Sequence, residues 1–351
     1  MKKFLLALFV LSNIAHSQER ILDTLQGTQQ TLDEVIVKGI RAKFSSPISY
    51  TNVDKDDLKS KNLGQDLPIL LKFLPSVVIT SDAGAGIGYT GIRIRGVSPQ
   101  STNITINGIP FNDAESMGTY WVNLPDFTSS IESLQVQRGV GTSTNGSGAF
   151  GASINILTDV IYDKPYAEIS SSFGSYNTLK NTIKFSTGKI NNHFELSGRL
   201  SKIDSDGYVD RAYSDLKSYF IQGTYTNGNR LIKALSFSGY EKGYQSWYGL
   251  TMDQVQENRR QNPYTYENEI DDYKQDHFQL HWNEKISNYL SFNLGLNYTD
   301  GRGYYEQYRE DDDIETYGGI VASDTNSNGD ETGTTDLIRR RWLDNDFYVL
   351  N

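Results

Sequence analysis

"YLSFNLGLNYT", residues 289–299, alternates apolar and polar side chains without a break from Leu290 to Thr299. Successive side chains of a β-strand point to opposite faces of its sheet. The apolar residues of this stretch therefore share one face, and the serine, asparagine, glycine and threonine residues share the other. The same alternation recurs in residues 194–201 and 278–283. Together these runs predict a sheet with one apolar face and one polar face.

The part of the chain after residue 160 contains eight segments with strand character. We predict strands near residues 166–174, 178–188, 193–203, 217–226, 231–240, 274–285, 289–299 and 338–351. Short connections at 189–192, 227–230 and 286–288 alternate with long ones at 204–216, 241–273 and 300–337. Short turns at one end and long loops at the other are typical of an outer-membrane β-barrel. A soluble β-sandwich with two long excursions is the alternative that this pattern leaves open.

The N-terminus carries the features of an exported protein. Lys2 and Lys3 precede an apolar run at residues 4–11, and small residues follow up to Ser17. This order predicts a secretory signal peptide over residues 1–17 that is cleaved after Ser17. The apolar run is too short to span a bilayer as a helix, and no later segment has enough continuous apolar residues to do so.

The composition favours a protein rich in β-strands and argues against several classes of function. Aromatic residues make up 12% of the chain, with 23 Tyr, but hydrophobic residues total only 37%. This balance indicates many half-polar strands. The formal net charge of −10 argues against nucleic acid as a partner, since nucleic-acid binding needs a basic surface. The chain has no cysteine, which excludes disulfides and thiolate metal sites.

Residues 48–160 have a different, mixed pattern. Leucines at helical intervals between Leu58 and Leu71 predict a pair of short helices, and several short strand candidates follow. We therefore predict a small α+β domain. An eight-stranded barrel is filled by its own side chains and has no room for such a domain, which needs a lumen of about 22 strands. We accordingly expect residues 161–351 to be part of a larger barrel, in a chain that continues beyond Asn351.

Three ordered segments resemble the plug motifs of the TonB-dependent receptors of Gram-negative outer membranes. They are "DLPILLKFLPSVVIT" at residues 66–80, "GIRIRGVSPQSTNITINGIPFND" at 91–113 and "IESLQVQRGVGTSTNGSGAFGASINILT" at 131–158. The resemblance implies a membrane β-barrel, antiparallel and of about 22 strands when complete, with an N-terminal α+β plug domain inside its lumen. It also implies an outer-membrane location and contact with outer-membrane lipid.

The resemblance assigns a role to "DEVIV", residues 33–37, within the polar segment 18–47. These residues (Asp33, Glu34, Val35, Ile36 and Val37) resemble the TonB box, which the TonB protein of the inner-membrane energising complex pairs with by strand addition. Main-chain hydrogen bonds supply the affinity of such a contact, and β-branched residues suit it. An ordinary strand of the plug sheet is the alternative.

Arginines of the plug motifs are candidates for docking the plug to the barrel. Arg93 and Arg95 alternate with Ile92 and Ile94, so both guanidinium groups leave the same face of a strand. Arg138 ends a second strand. Arginine forms bidentate pairs with carboxylates in desolvated places. We predict that all three arginines contact acidic side chains of the barrel wall.

Candidate cargo-binding residues lie in two loops of the plug, at 81–90 and 111–126, and in the long barrel connections. Aromatic side chains with polar edges offer contact area, and short polar side chains offer hydrogen bonds. The predicted substrate-binding residues are Asn112, Asp113, Tyr120, Trp121, Trp247 and Tyr248. Packing of Trp121 in the plug core is an alternative. The resemblance implies a nutrient chelate as cargo, a ferric siderophore or haem first and cobalamin as an alternative.

Patterns for metal binding and catalysis are weak. His277 and His281 on one strand would lie about 13 Å apart, too far to share an ion. Residues 324–336 begin like a calcium loop but have Thr335 where a bidentate glutamate is needed. The sequence lacks G-x-S-x-G and H-E-x-x-H motifs and a P-loop. We therefore expect no enzyme activity, no cofactor and no metal site. A passive porin or adhesin is the remaining rival.

Overall fold

The computed structural model describes residues 41–141, 150–287, 289–318, 324–326 and 328–351. The chain divides into two units, Met1–Thr31 and Leu32–Asn351, and all described residues belong to the second. The predicted signal peptide at 1–17 and the predicted TonB box at 33–37 lie outside the described residues. In the part that the structure describes, no helix has the length and apolar character needed to cross a membrane.

The first half of the second unit forms a small α+β fold. Its strands are β1 (Ser49–Asp54), β2 (Val77–Ser81), β3 (Thr90–Ile94), β4 (Thr102–Ile106), β5 (Ile109–Pro110), β6 (Ile131–Arg138) and β7 (Ala152–Thr158). Five of them form one sheet, here called the plug sheet, in the order β1-β6-β7-β4-β5. Strands β2 and β3 pair separately. Two short helices, α1 (Lys55–Lys59) and α2 (Leu67–Leu70), confirm the predicted helix pair.

The second half forms an eight-stranded antiparallel sheet, here called the barrel sheet. Its strands are β8 (Tyr166–Phe173), β9 (Leu179–Ser186), β10 (Phe194–Ser205), β11 (Ser214–Asn227), β12 (Arg230–Tyr244), β13 (Ile270–Lys285), β14 (Ser291–Asp313) and β15 (Thr334–Leu350). Each strand pairs with its neighbours in sequence, so the order β8 to β15 is that of the chain. A short helix, α3 (Met252–Glu257), lies in the connection between β12 and β13.

The two faces of the barrel sheet differ as the alternation predicts. On β10, Glu195 and Arg199 are buried while Leu196 and Leu200 are exposed. On β13, from His277 to Asn283, the exposed positions are apolar and the buried ones are polar. An apolar exposed face and a polar covered face are the arrangement of a membrane barrel wall.

The barrel strands are longer than predicted at the end of the long connections. We expected strands to stop near residue 299 and to resume near 338, but β14 continues to Asp313 and β15 starts at Thr334. The two strands remain paired there, with a shift in register between Arg309 and Asp312. Residues 309–313 of β14 are all polar, so the alternation that identified the strand fades before the strand ends.

The apolar core joins the plug sheet to the barrel sheet. Alternate residues of β4, β6 and β7, including Ile106, Leu134 and Ile154, are fully buried between the plug elements. The same core extends to Phe220 and Phe237 of the barrel sheet. Phe127 of the plug makes this connection, with ring centroids 6.3 Å from Phe220 and 5.1 Å from Phe237. The plug therefore packs directly against the covered face of the barrel sheet.

Candidate functional site

A cavity of about 650 Å³ lies between the plug and the barrel sheet, at the end where the long connections emerge. Both predicted plug loops contribute to it, 81–90 through Asp82 and Tyr89 and 111–126 through residues from Phe111 to Asn123. A second cavity of about 220 Å³ shares several of its lining residues. The structure thus brings the two loops together at one site, as a cargo pocket requires.

Aromatic side chains from three parts of the chain form one wall of this cavity. Trp247, in the connection after β12, makes edge contacts with Tyr89 of the plug and Tyr305 of β14. The ring centroids are 5.1 Å and 5.5 Å apart, respectively. The Nε1 atom of Trp247 is buried and has no hydrogen-bond partner in the structure. This wall offers apolar contact area together with an available donor.

Acidic groups line the cavity beside these aromatic residues. Glu241 and Asp271 are each only 3% exposed, and both line the cavity. The hydroxyl of Tyr89 donates a hydrogen bond to Oδ2 of Asp271. Burial, followed by the nearby charges of Glu241 and Asp271, raises the pKa of Tyr89 well above its usual value, so this hydroxyl stays protonated. Burial also raises the pKa of Asp82 to about 6.

Two of the predicted cargo residues have structural roles that the sequence did not reveal. The Asn112 side chain donates to the carbonyl oxygens of Thr102 and Met117 and accepts from the backbone N–H of Ile104. These bonds fix the start of the loop rather than leaving the amide free. Asp113 accepts from the backbone N–H of Ser116 at 2.6 Å, and it also lines the cavity.

The four predicted aromatic residues divide into two pairs. Tyr120 and Trp247 line the cavity. Trp121 is only 3% exposed and packs in the plug core, so its prediction as a cargo residue is wrong. It lies in a 3₁₀ turn directly after Tyr120, and neighbouring side chains of such a turn point in different directions. Tyr248 is exposed and stacks on Tyr264 outside the lining of this cavity, so its cargo role stays a prediction.

Sequence reasoning did not single out Glu241, Asp271 or Asn123, which also line the cavity. The predicted connection 241–273 contains both acidic residues, because the strand alternation stops at residue 240 and resumes at 274. The alternation itself could have identified them. Most buried residues of β12 and β13 occupy every second position, and Glu241 and Asp271 fall on those positions. Asn123 carried no pattern that would have identified it.

The predicted docking arginines do not contact the barrel sheet through the described residues. Arg93 and Arg95 are exposed, while Ile92 and Ile94 are buried as the alternation predicts. The face of β3 that carries the arginines is not covered by strands β8–β15. Arg138 instead donates to the side chains of Ser49 and Thr51 of β1, inside the plug sheet. The prediction is corrected for Arg138, whereas barrel contacts of Arg93 and Arg95 stay a prediction.

Plug carboxylates and barrel cations make the observed docking contacts, which is the reverse of the predicted polarity. Asp126 forms an ion pair with Lys180 of β9 at 2.7 Å, and both side chains are almost fully buried. It also accepts from Ser201 at 2.6 Å and from Thr182 at 2.7 Å. Arg199 donates to its backbone oxygen. Burial would raise the pKa of Asp126, but Arg199 and Lys180 together lower it below the usual value.

A second buried ion cluster lies at the end of β7. Asp159 pairs with Lys184 of β9 at 3.0 Å and with Lys55 of α1 at 2.7 Å. Its backbone oxygen accepts from Gln222 of β11 at 3.1 Å and from Lys233 of β12 at 3.2 Å. Burial opposes ionisation, but Lys184 and Lys55 outweigh it, so the pKa of Asp159 is lowered. The two clusters hold the plug to four consecutive barrel strands.

The two histidines of β13 are occupied by separate partners. His277 bonds to Thr299 at 2.9 Å and stacks on Phe237, while His281 bonds to Gln279 at 3.2 Å. Within the described ranges, no group of three or more histidine, cysteine, aspartate or glutamate residues is placed to hold a metal ion.

Comparison with known families identifies the class of protein. Residues 42–153 match the family model of the TonB-dependent receptor plug domain. Residues 42–153 of the chain belong to the TonB-dependent receptor plug domains. The receptor chain has the partial antiparallel barrel and the plug-like sheet expected of that family, and its place is the outer membrane of a Gram-negative bacterium.

Relatives of the receptor chain differ in what their names say they carry. A probable TonB-dependent siderophore receptor, PirA of Acinetobacter baumannii, is 24% identical over 210 residues, which cover 54% of this chain and 28% of the relative. The vitamin B12 transporter BtuB of Vibrio vulnificus is 31% identical over 183 residues, which cover 51% of this chain and 29% of the relative. The matched region thus spans under a third of the length of these relatives.

Solved structures show the same fold as the receptor chain. The unliganded ferric citrate transporter FecA superposes with a TM-score of 0.62 at 16% identity, covering 76% of this chain and 42% of that one. The open form of the ferric-catecholate import receptor Fiu of Escherichia coli gives 0.60 at 15% identity, covering 87% and 45%. At these identities the likeness concerns the fold alone.

Proposed function

We propose that this chain is part of an outer-membrane receptor that imports a scarce nutrient chelate with energy supplied through TonB. The observation that carries the proposal is the cavity between plug and barrel sheet, lined by Tyr89, Tyr120, Trp247 and Tyr305. It lies at the end of the sheet where the long connections emerge. In this arrangement a ligand that enters from outside meets the plug before it meets the barrel lumen.

The buried plug supports a gated receptor over a passive porin. Asp126 and Asp159 tie the plug to the barrel sheet through ion pairs that are shielded from water. A pore that stays open has no use for such contacts. Import then requires that these contacts loosen, and loosening buried ion pairs requires an energy source. Residues 33–37 are the proposed point of attachment for TonB, through strand addition.

The names of the relatives support a metal chelate as cargo. Siderophore receptors and a vitamin B12 transporter are both similar to this chain over about half its length. We propose a ferric siderophore or haem as the first candidate and cobalamin as the second. The docking role of Arg93 and Arg95 stays a prediction for surfaces that strands β8–β15 do not cover.

Deletion of residues 33–37 from the complete receptor tests the proposal. Energised uptake should be lost, while binding of the nutrient to the cell surface should be retained, because the cavity is far from the deleted segment in sequence. Deletion of residues 23–27, an equally long upstream piece of the same polar segment, is the matched control and should leave uptake intact. Uptake at the normal rate after deletion of 33–37 would favour a passive porin.

A further inference from the structure

The charges around the main cavity are strongly unbalanced. Its lining contains five carboxylates and one guanidinium group, which belong to Asp82, Asp113, Glu115, Glu241, Asp271 and Arg341. Arg341 already donates to the hydroxyl of Tyr305 at 3.3 Å. Carboxylates crowded into a partly desolvated space repel an anionic ligand and attract a cationic one. The lining alone therefore discriminates between ligands by charge.

Unpaired acceptors at the same cavity point to a ligand with hydrogen-bond donors. Asn123 is 7% exposed and Asp271 is 3% exposed, and both line the cavity. The Oδ1 atom of each is buried and has no hydrogen-bond partner in the structure. Buried acceptors without partners are uncommon, because each carries the cost of its lost hydration. A ligand that presents N–H or O–H groups would supply the missing bonds.

The aromatic wall favours the same ligand chemistry. Tyr89, Trp247 and Tyr305 line the same space as the carboxylates. The faces of aromatic rings carry negative charge density and attract cations, most strongly when water is excluded. Charge, two unpaired acceptors and aromatic rings suit a positively charged donor, and the unpaired Nε1–H of Trp247 requires that the same ligand also presents an acceptor.

From these observations we propose that the cavity selects a cargo of net positive charge that presents ammonium or other hydrogen-bond donor groups. Anionic chelates, such as those of catecholate or citrate type, are disfavoured. This inference rests on the proposed function and specifies its substrate class. Glu241 and Asp271 contribute to the charge preference, because a cation bound beside two buried carboxylates favours their ionised form, and Asn123 accepts a donor of the cargo.

A set of probes with one common core tests the charge preference. A ferric trihydroxamate with a free terminal amine is cationic, its acetylated form is neutral and its succinylated form is anionic. Affinity of each is measured by binding of radiolabelled iron to outer-membrane vesicles that contain the complete receptor. We expect the cationic probe to bind about tenfold or more tightly than the anionic one, with the neutral probe between them.

Paired variants assign the preference to the cavity. Glu241→Gln combined with Asp271→Asn keeps the shape of both side chains but removes their charge, and it should bring the three affinities together. Glu284→Gln is the matched control, because Glu284 lies at the opposite end of β13 and pairs with Arg230 at 2.7 Å. It should leave the order of affinities unchanged.

The probe-binding experiment tests the cationic cargo and does not depend on the test of the proposed function. Equal affinities, a preference for the anionic probe, binding of none of the three probes, or an unchanged preference in the double variant would overturn the inference. The proposed function is tested separately, by the effect of deleting residues 33–37 on nutrient uptake. Loss of uptake together with a flat or reversed charge order would leave the receptor function standing and refute only the cationic cargo.

Discussion

Replacement of Asp126 by asparagine tests how the plug is held. Asp126 lies between two plug turns, and its side chain is fully buried beside Lys180 of the barrel sheet. Its backbone has a φ of 51°, in the left-handed region that asparagine tolerates better than most residues. Asparagine also keeps the size of the side chain and its capacity to accept from Ser201. The change therefore removes the negative charge and exchanges one of the two accepting oxygens for an NH2 donor.

The expected cost follows from the partners that stay behind. Lys180 and Arg199 are both buried and would lose the carboxylate that compensates them. Removal of one partner from a buried ion pair costs about 3–5 kcal/mol. Since asparagine retains part of the hydrogen bonding, we take the lower end, about 3 kcal/mol, which corresponds to an increase of about 100-fold in the population of the opened plug turn.

Hydrogen exchange of the backbone amides measures this population directly. The amides of Phe127 and Ser129 close the turn, donating to Leu124 at 3.1 Å and to Asp126 at 3.0 Å. Their protection should fall by about 100-fold in the variant. Asp204→Asn is the control, because Asp204 pairs with Lys202 on the exposed face of β10. An exposed pair is worth about 1 kcal/mol or less, so protection there should change by less than about fivefold.

The pH dependence of amide protection checks whether ionised Asp126 stabilises the docked plug. The pKa of Asp126 is lower in the folded protein than in the unfolded chain, because Arg199 and Lys180 outweigh the effect of burial. The stabilisation is therefore complete above the unfolded pKa of about 4 and is lost as the pH falls through the folded value. If protection in Asp126→Asn matches that in Asp204→Asn at neutral pH, this account of plug docking is refuted.

Three further changes test other parts of the structure. Gly239→Ala should displace the plug, because a Cβ there would lie 2.1 Å from the carbonyl oxygen of Asn123. Gly223→Ala is the control and should be neutral, because a Cβ there meets no atom within 4 Å. The yield of folded receptor measures the effect of both changes. Trp121→Ala should destabilise the plug by about 3–5 kcal/mol, as measured by hydrogen exchange, whereas truncation of the half-exposed Tyr120 should cost far less. Binding of the cationic probe should strengthen between pH 5 and 7 as Asp82, which shares its cavity with Glu241, Asp271 and Tyr89, ionises with a pKa of about 6, and Asp82→Asn should reduce this dependence, with the remainder due to the other carboxylates of the cavity.

The barrel sheet was predictable because each strand separates two environments. Alternation along β10 and β13 identified the strands and assigned the correct side chains to each face. The strand ends were not predictable, since β14 runs on to Asp313 with polar residues on both faces. Backbone pairing between neighbours sets those ends, and a sequence pattern does not record it.

The site was only partly predictable, for a related reason. The two plug loops were identified from their polarity, but turn geometry decides which side chains face the cavity. Tyr120 lines the cavity, whereas its neighbour Trp121 is buried in the plug core. Docking residues were missed because each pair joins distant parts of the chain. The sequence around Asp126 does not indicate that this residue contacts Lys180. The docking role was predicted for Arg93 and Arg95 instead, because they alternate with isoleucines along a strand.

The most direct test of the central claim, that the cavity between plug and barrel sheet binds the cargo, compares two adjacent residues. Trp247 lines the cavity, and Tyr248 is exposed and stacks on Tyr264 instead. Binding of the transported nutrient to intact cells is measured with energy coupling blocked. Trp247→Ala should weaken binding by about 30-fold, as expected for loss of about 2 kcal/mol at a buried aromatic contact, while Tyr248→Ala should leave it within about threefold. Equal affinities in the two variants would place the cargo site elsewhere.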